Sequence, residues 1–281
     1  MNRLNKMNSE AARCTFHTVL TWLLLLVYVS PLYVMLCVAL KTKEEFAKSP
    51  FAIPKQIVWQ NIAQAAKKMD FLNSALNSAI VTFVSIAFIL VFAAWAGYVL
   101  ARKTSKLYKN IYIFFLFGLM IPFPLIMLPL YKTVSTLGLM GNYFSVILVY
   151  TGTSMPVAII ILTSSIKMIP RELDEAALID GAGPFRVFWN VIWPLIKAPV
   201  VTVMIICMVQ FWNDLLTPML FLGSRHQTLI MSLYNFKGAL YTTDWTMVFA
   251  GSLIAMLPLL VIFFTTQKSF IKGMISGAVK G

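Results

Sequence analysis

Six long apolar runs, near residues 19–40, 72–100, 111–130, 144–166, 191–222 and 245–266, decide what this chain can fold into. Each can cross a hydrocarbon layer of about 30 Å, which takes ~20 helical residues. No water reaches the backbone inside that layer, so each run is expected to satisfy its own peptide groups as a helix. Composition agrees: the 281 residues are 59% hydrophobic and 12% charged, with a mean hydropathy of +0.81, which excludes an ordinary soluble domain. The expected fold class is an all-α integral membrane protein with six transmembrane helices embedded in a lipid bilayer. Residues 1–18 form an N-terminal segment, 19–267 the six-span domain and 268–281 a tail. The first run exceeds twenty residues and lacks a small-x-small cleavage site, so it reads as a retained anchor rather than a signal peptide.

The formal charge of +13 suggests nucleic acid, but the basic residues sit between apolar runs and build no continuous basic face, so no nucleic acid partner is expected. They set topology instead. Arg3, Lys6 and Arg13 precede the first run, and Arg102, Lys103, Lys106 and Lys109 separate the second from the third. Lys167, Arg171 and Arg186 lie between the fourth and fifth, and Lys268, Lys272 and Lys280 follow the sixth. The opposite connections carry nine basic residues, six of them in one long loop where the positive-inside rule is weakest. Both termini and the fourth-to-fifth connection are therefore expected to be cytoplasmic. Cys14, Cys37 and Cys207 are too far apart for a metal site or a disulfide framework. His17 and His226 read as single residues without partners.

Four of the ten acids, Glu172, Asp174, Glu175 and Asp180, fall in the stretch 170–181. Pro170 suits a first helical turn, where its missing N–H costs nothing. Glu172, Asp174 and Glu175 then face the positive end of the helix dipole. Gly181 reads as the C-cap, and Gly183-Pro184 breaks the chain before another helix. Leu173, Ala176, Ala177 and Asp180 share one narrow face that lets another backbone come close. An interfacial helix would carry Lys and Arg against an anionic leaflet, so a protein cleft is the better receptor for this acidic element.

Elsewhere, Asn73 and Asn77 are expected to hydrogen-bond a neighbouring helix. Pro122, Pro124 and Pro129 should bend the third span and Pro156 the fourth. Gln210-Phe-Trp-Asn-Asp214, followed by Thr217-Pro218, interrupts the fifth apolar run, so that helix is expected to be distorted.

Glu175-Ala176-Ala177, Gly181 six residues after Glu175, and Pro194 thirteen beyond that resemble the EAA signature of ABC-importer permeases. The chain departs from the pattern at Val191 and Trp193, where the family carries isoleucine and leucine. Asp180-Gly181-Ala182, Phe188 and Pro199 fit the carbohydrate-uptake branch. The C-terminal Ser276-Gly-Ala-Val-Lys-Gly281 resembles the tail of the smaller permease subunit of maltose-type importers.

The resemblance implies a type I importer transmembrane domain in a bacterial plasma membrane, with a cytoplasmic EAA coupling helix in the connection 167–190. Its implied partners are a second homologous permease, two copies of a cytoplasmic ABC ATPase and an extracytoplasmic sugar-binding protein. Asp174, Glu175, Ala176, Ala177, Asp180, Gly181 and Pro194 would dock on the ATPase. Gly277, Val279, Lys280 and Gly281 would reach between the ATPase subunits. The outer loop 223–244 would contact the binding protein. ATP and magnesium would belong to the ATPase, since this chain has no G-x-x-x-x-G-K-[ST] sequence and is expected to bind no cofactor.

Trp-Asn-acid runs also occur in carbohydrate permeases. On that likeness Trp212 would stack on a sugar ring while Asn213 and Asp214 bond its hydroxyls. The plainer alternative puts Asp214 at the outer interface and Trp212 in the aromatic belt. A self-contained carrier or channel needs intramembrane carboxylates to couple ions, and only Asp214 offers itself. A membrane enzyme needs converging catalytic groups, and none converge. The excess of basic outer residues allows glycerol phosphate or an acidic sugar as substrate instead of a neutral carbohydrate.

Overall fold

The computed structural model describes the backbone of residues 2–236 and 243–278, and the side chains of residues 15–236 and 243–265. Among the described residues the only regular secondary structure is helical, as the apolar runs require. The helices are α1 (Asn2–Ala39), α2 (Lys43–Lys48), α3 (Gln60–Lys68), α4 (Phe71–Arg102), α5 (Lys106–Gly118), α6 (Phe123–Thr136) and α7 (Tyr143–Lys167). They continue with α8 (Glu172–Ile179), α9 (Pro184–Val187), a π-helical turn (Phe188–Ile192), α10 (Trp193–Leu195), α11 (Lys197–Trp212), α12 (Leu216–Phe221), α13 (Leu229–Tyr234) and α14 (Trp245–Ala278). Two compact units emerge: α1–α3 with the start of α14, and α4–α13 with the rest of α14.

In the first unit, a short polar connection folds back on the end of α1. Thr42 caps α2 by accepting the Glu45 N–H at 3.2 Å. The Lys41 side chain is fully buried, and its ammonium donates to the carbonyls of Ser49 at 2.6 Å and Pro50 at 3.0 Å. Those bonds replace the water that burial removes from the charge. Asn61 Nδ2 in turn donates to the carbonyls of Ala39 and Lys41, fixing α3 to the same turn. Lys43 Nζ pairs with Asp244 at 2.9 Å. Partial burial pushes the Asp244 carboxyl up, but hydrogen bonds from Lys43, Thr246 and the Met247 N–H outweigh it and hold the group below the usual carboxylate range.

The second unit is organised around α4 against α7. Ile89, Ala93 and Ala94 of α4 are buried with Ile159, Leu162 and Ile166 of α7, and Val203, Cys207 and Phe211 of α11 join that core. Gly97 makes the close approach possible: a β-carbon there would lie 3.2 Å from the Thr163 backbone nitrogen. Small residues at such contacts are how membrane helices pack without a hydrophobic drive between them.

Among the described residues four helices are long and apolar enough to cross a membrane: Thr15–Ala39, Phe71–Arg102, Tyr143–Lys167 and Trp245–Thr265. The third and fifth expected spans are broken. Lys106–Gly118 and Phe123–Thr136 meet at 103°, and Pro184–Leu195 meets Lys197–Trp212 at 76°. Counting each bent pair as one span restores six. The first break lies at residues 119–122, where Pro122 has extended backbone and Pro124 enters the first turn of α6. It is far sharper than the proline kink expected there. Pro156 stays inside a continuous α7, as an ordinary membrane-helix proline does.

Candidate functional site

The acidic connection forms the short helix α8, entered through Arg171 rather than at Pro170 itself. Its end follows from Gly181, whose φ of +83° places it in the left-handed region. The Gly181 N–H donates to Leu178 O and the Ala182 N–H to Ala177 O, both at 3.0 Å, which is the Schellman pattern of a glycine-capped helix.

Asp174 does not present itself outward with the other acids. It is 7% exposed and accepts two bonds from Arg102, the last residue of α4: Nε to Oδ2 at 2.6 Å and Nη2 to Oδ1 at 3.1 Å. Arg102 Nη1 donates to the carbonyls of Ile166 at 3.3 Å and Ile169 at 3.1 Å. Ile166 lies in the C-terminal turn of α7 and Ile169 two residues beyond its end, where carbonyls lack α-helical i+4 partners. One forked guanidinium thus joins the ends of α4 and α7 to the first turn of α8.

A second anchor follows α8. Phe188 is buried, with its ring 4.7 Å from that of Trp95 and 5.6 Å from that of Tyr98, both on α4; Trp95 also stacks on Phe185 at 5.4 Å. Phe188 opens the π-helical turn, in which the Trp193 N–H reaches back to Phe188 O. Pro194 follows on α10, exposed and unable to donate to a continued α-helical ladder.

Between these anchors an outward surface remains. Glu175, Ala176 and Asp180 are exposed and Ala177 is half-buried, beside Ile179 at 86% and Phe185 at 65% exposure. Acids and large apolar side chains share this surface, as a docking element for a protein partner would require. Of the expected docking residues, Asp174 alone is turned inward, because Arg102 captures it. Of the expected tail contacts, Gly277 lies within the last turns of α14 with its surroundings outside the described side chains. Val279, Lys280 and Gly281 lie outside the described residues altogether.

The polar interruption of the fifth span breaks the helix as expected, between Trp212 of α11 and Leu216 of α12. A cavity of about 580 Å³ is walled by the α5–α6 bend, by Tyr150, Thr153 and Pro156 of α7, and by Gln210, Asp214 and Thr217. Asp214 is the one expected path residue that reaches it. Its Oδ1 accepts the N–H groups of Leu216 at 2.9 Å and Thr217 at 3.4 Å, so it caps α12 as well. Trp212 is 4% exposed and absent from the cavity wall, which removes it as a sugar-stacking platform in this arrangement. Asn213 spends its amide on Val209 O at 2.8 Å and also misses the cavity. Tyr150, whose ring stacks on Phe211 at 4.1 Å with 5° between planes, is a wall residue that nothing in the sequence marked.

Contrary to the expectation that it lacks a partner, His226 has one. The Tyr143 hydroxyl lies 3.0 Å from its Nδ1 and donates to Asn77 Oδ1 at 2.6 Å, while Asn77 Nδ2 donates to Gln227 O at 2.9 Å. Ser78 Oγ accepts the Leu229 N–H at 2.9 Å. This network ties the connection before α13 to the start of α4 and α7. Asn77 makes the kind of contact its position in the sequence predicts, whereas Asn73 bonds Asp70 locally at 2.7 Å.

Residues 89–275, which include α8, both anchors and the cavity, match the family described as binding-protein-dependent transport system inner membrane component. The chain belongs to that family. Two of its relatives match nearly end to end. A probable starch degradation products transport system permease, AmyC of Thermoanaerobacterium thermosulfurigenes, is 33% identical over 94% of this chain and 96% of its own length. The melibiose/raffinose/stachyose import permease MelC of Bacillus subtilis is 35% identical, covering 89% of this chain and 91% of its own. A solved bacterial ABC transporter involved in importing the acidic polysaccharide alginate superposes with a TM-score of 0.82 over 93% of this chain and 98% of its own, at 19% identity. The permease therefore has the transmembrane fold of an ABC importer and is a transport subunit rather than an enzyme.

Proposed function

We propose that the permease forms half of the path through an ABC importer for a carbohydrate, an oligosaccharide in the first instance, with α8 as its coupling helix. The substrate class rests on relatives named for starch degradation products and for melibiose, raffinose and stachyose. A second, homologous permease encloses the other half, two cytoplasmic ABC ATPases supply the energy, and an extracytoplasmic binding protein delivers the sugar. ATP and magnesium are held by the ATPases. The positive-inside rule, applied to the short basic connections, supports a cytoplasmic position for both termini and α8 in a bacterial membrane.

The observation that carries this reading is the exposed surface of α8 between two anchors on α4. Closure of the ATPase dimer pushes Glu175, Ala176, Ala177 and Asp180; the Schellman turn at Gly181 and Pro194 beyond it shape the loop that receives the push. Arg102 and Phe188 pass the displacement to α4 and α7, and the cavity beside Asp214 changes its access. The tail from Gly277 through Val279, Lys280 and Gly281 adds contacts between the ATPases. The test is ATPase activity of the coexpressed importer, native against Glu175→Lys. The native complex is expected to respond to sugar-loaded binding protein, and the variant to lose ATPase attachment or that response. Normal coupling in the variant, or uptake by this chain alone, would overturn the reading.

A further inference from the structure

At the end of α4 opposite its Asp70 cap, four cations besides Arg102 line one concavity of about 450 Å³. Lys103 follows α4, Lys109 lies on α5, Lys167 ends α7 and Arg171 precedes α8. Among the described residues no acidic side chain lines it. Glu172 adjoins Arg171 in sequence but does not line the hollow, and Asp174 is already held by Arg102. None of the four cations makes an ion pair or side-chain hydrogen bond among the described residues; Lys167 instead lies 4.8 Å over the ring of Tyr112. Topology alone asks for positive charge somewhere in a connection, not for its convergence on one hollow.

The wall changes character along α5. Lys109, Ile113 and Phe117 follow one another at four-residue steps on one face, and Ile113 and Phe117 are 45% and 62% exposed. The surface therefore runs from cationic at the mouth to apolar along the helix. Half-buried Tyr108 and Tyr112 sit at the change, as aromatic residues do at a membrane boundary. A soluble acidic protein surface would match the charges but not the apolar strip that continues from them.

We infer that this hollow binds the headgroup of an anionic phospholipid, with Lys103, Lys109 and Lys167 on the phosphate and one acyl chain along Ile113 and Phe117. Basic pockets between spans at a membrane face recognise such headgroups through charge and hydrogen bonds together. The site adjoins Arg171 and Arg102, so an occupied hollow braces the junction of α4, α7 and α8. It requires only that α4, α5 and α7 be membrane-embedded, and it can fail or hold independently of the coupling role proposed for α8.

The experiment uses the assembled importer, coexpressed with its partner subunits, in nanodiscs of phosphatidylcholine with increasing phosphatidylglycerol. Lipid retained after mild extraction is counted by native mass spectrometry. The wild type is expected to retain phosphatidylglycerol over phosphatidylethanolamine, saturating at one molecule per copy of this chain. Lys103→Gln/Lys109→Gln/Lys167→Gln should weaken that retention on the order of 100-fold, and the corresponding triple Arg variant should restore it. Equal retention of both lipids by the wild type overturns the proposal without any variant. So does inorganic phosphate that displaces phosphatidylglycerol at millimolar concentration, since the site would then take a phosphate from solution. Loss of the ATPase subunits from the Gln variant with unchanged lipid retention would assign the patch to a protein partner and also overturn it.

Discussion

Arg102 joins the ends of α4 and α7 to the first turn of α8. Its side chain and that of Asp174 are 13% and 9% exposed, so both charges are largely removed from water and depend on each other. Breaking such a pair leaves one desolvated charge behind, which costs about 3 kcal/mol, whereas removing both charges is far less damaging. Arg102→Gln should therefore lower the melting temperature of the purified complex markedly, and Arg102→Gln/Asp174→Asn should recover more than half of the loss. Arg102→Lys keeps the charge but not the planar fork that spans Asp174, Ile166 and Ile169, so it should hold stability better than coupling. The reading is separable by the ratio of binding-protein-stimulated to basal ATPase. If Arg102→Lys keeps that ratio at the wild-type value, Arg102 is a stability element and nothing more. Sequence alone placed Asp174 in the right helix and among the right neighbours but could not turn it inward. Its partner is 72 residues away, and no local pattern joins the end of α4 to the start of α8.

Helix boundaries were legible wherever local chemistry sets them: Gly181 ends α8 through its positive φ, and Asn142 starts α7 by accepting the Phe144 N–H. What hydropathy cannot encode is direction. The run 111–130 is equally apolar before and after residues 119–122, so it reads as one span although α5 and α6 meet at 103°. Side-chain contact across elements is equally hidden, and glycine makes this testable. A β-carbon at Gly97 would meet the rigid Thr163 backbone nitrogen at 3.2 Å, whereas one at Gly152 meets nothing within 4 Å. Both are helical glycines, so sequence rules give them the same gain of about 1 kcal/mol on replacement by alanine. Packing reverses one of the two. Gly152→Ala should leave the melting temperature of the complex unchanged or raised, and Gly97→Val should lower it by forcing α4 off α7, at a cost of about 1–3 kcal/mol. Equal tolerance of the two substitutions would mean that the α4–α7 contact is looser than the structure has it.

At the scale of the whole importer, the question is whether Asp214 serves the substrate or only the fold. It does two things at once: it faces the 580 Å³ cavity and it caps α12 with its Oδ1. Loss of uptake in Asp214→Ala is therefore ambiguous, since removing a cap alone costs about 1 kcal/mol. Asparagine retains a side-chain oxygen that can accept the Leu216 N–H while its carboxylate charge disappears. A neutral sugar needs hydrogen-bonding capacity at this wall and no charge, because a hydroxyl can donate to an amide oxygen as it does to a carboxylate. Asp214→Asn is then expected to keep sugar-stimulated ATPase and most uptake in proteoliposomes, while Asp214→Ala loses uptake with the ATPase subunits still attached. Buried Trp212 gives the control, because Trp212→Leu stays apolar and removes the aromatic face that was expected to stack on sugar. Normal uptake by Trp212→Leu together with loss in Asp214→Ala would locate the path on the cavity side of α11. The reverse pattern would move it to the opposite face, with Asp214 left as a cap.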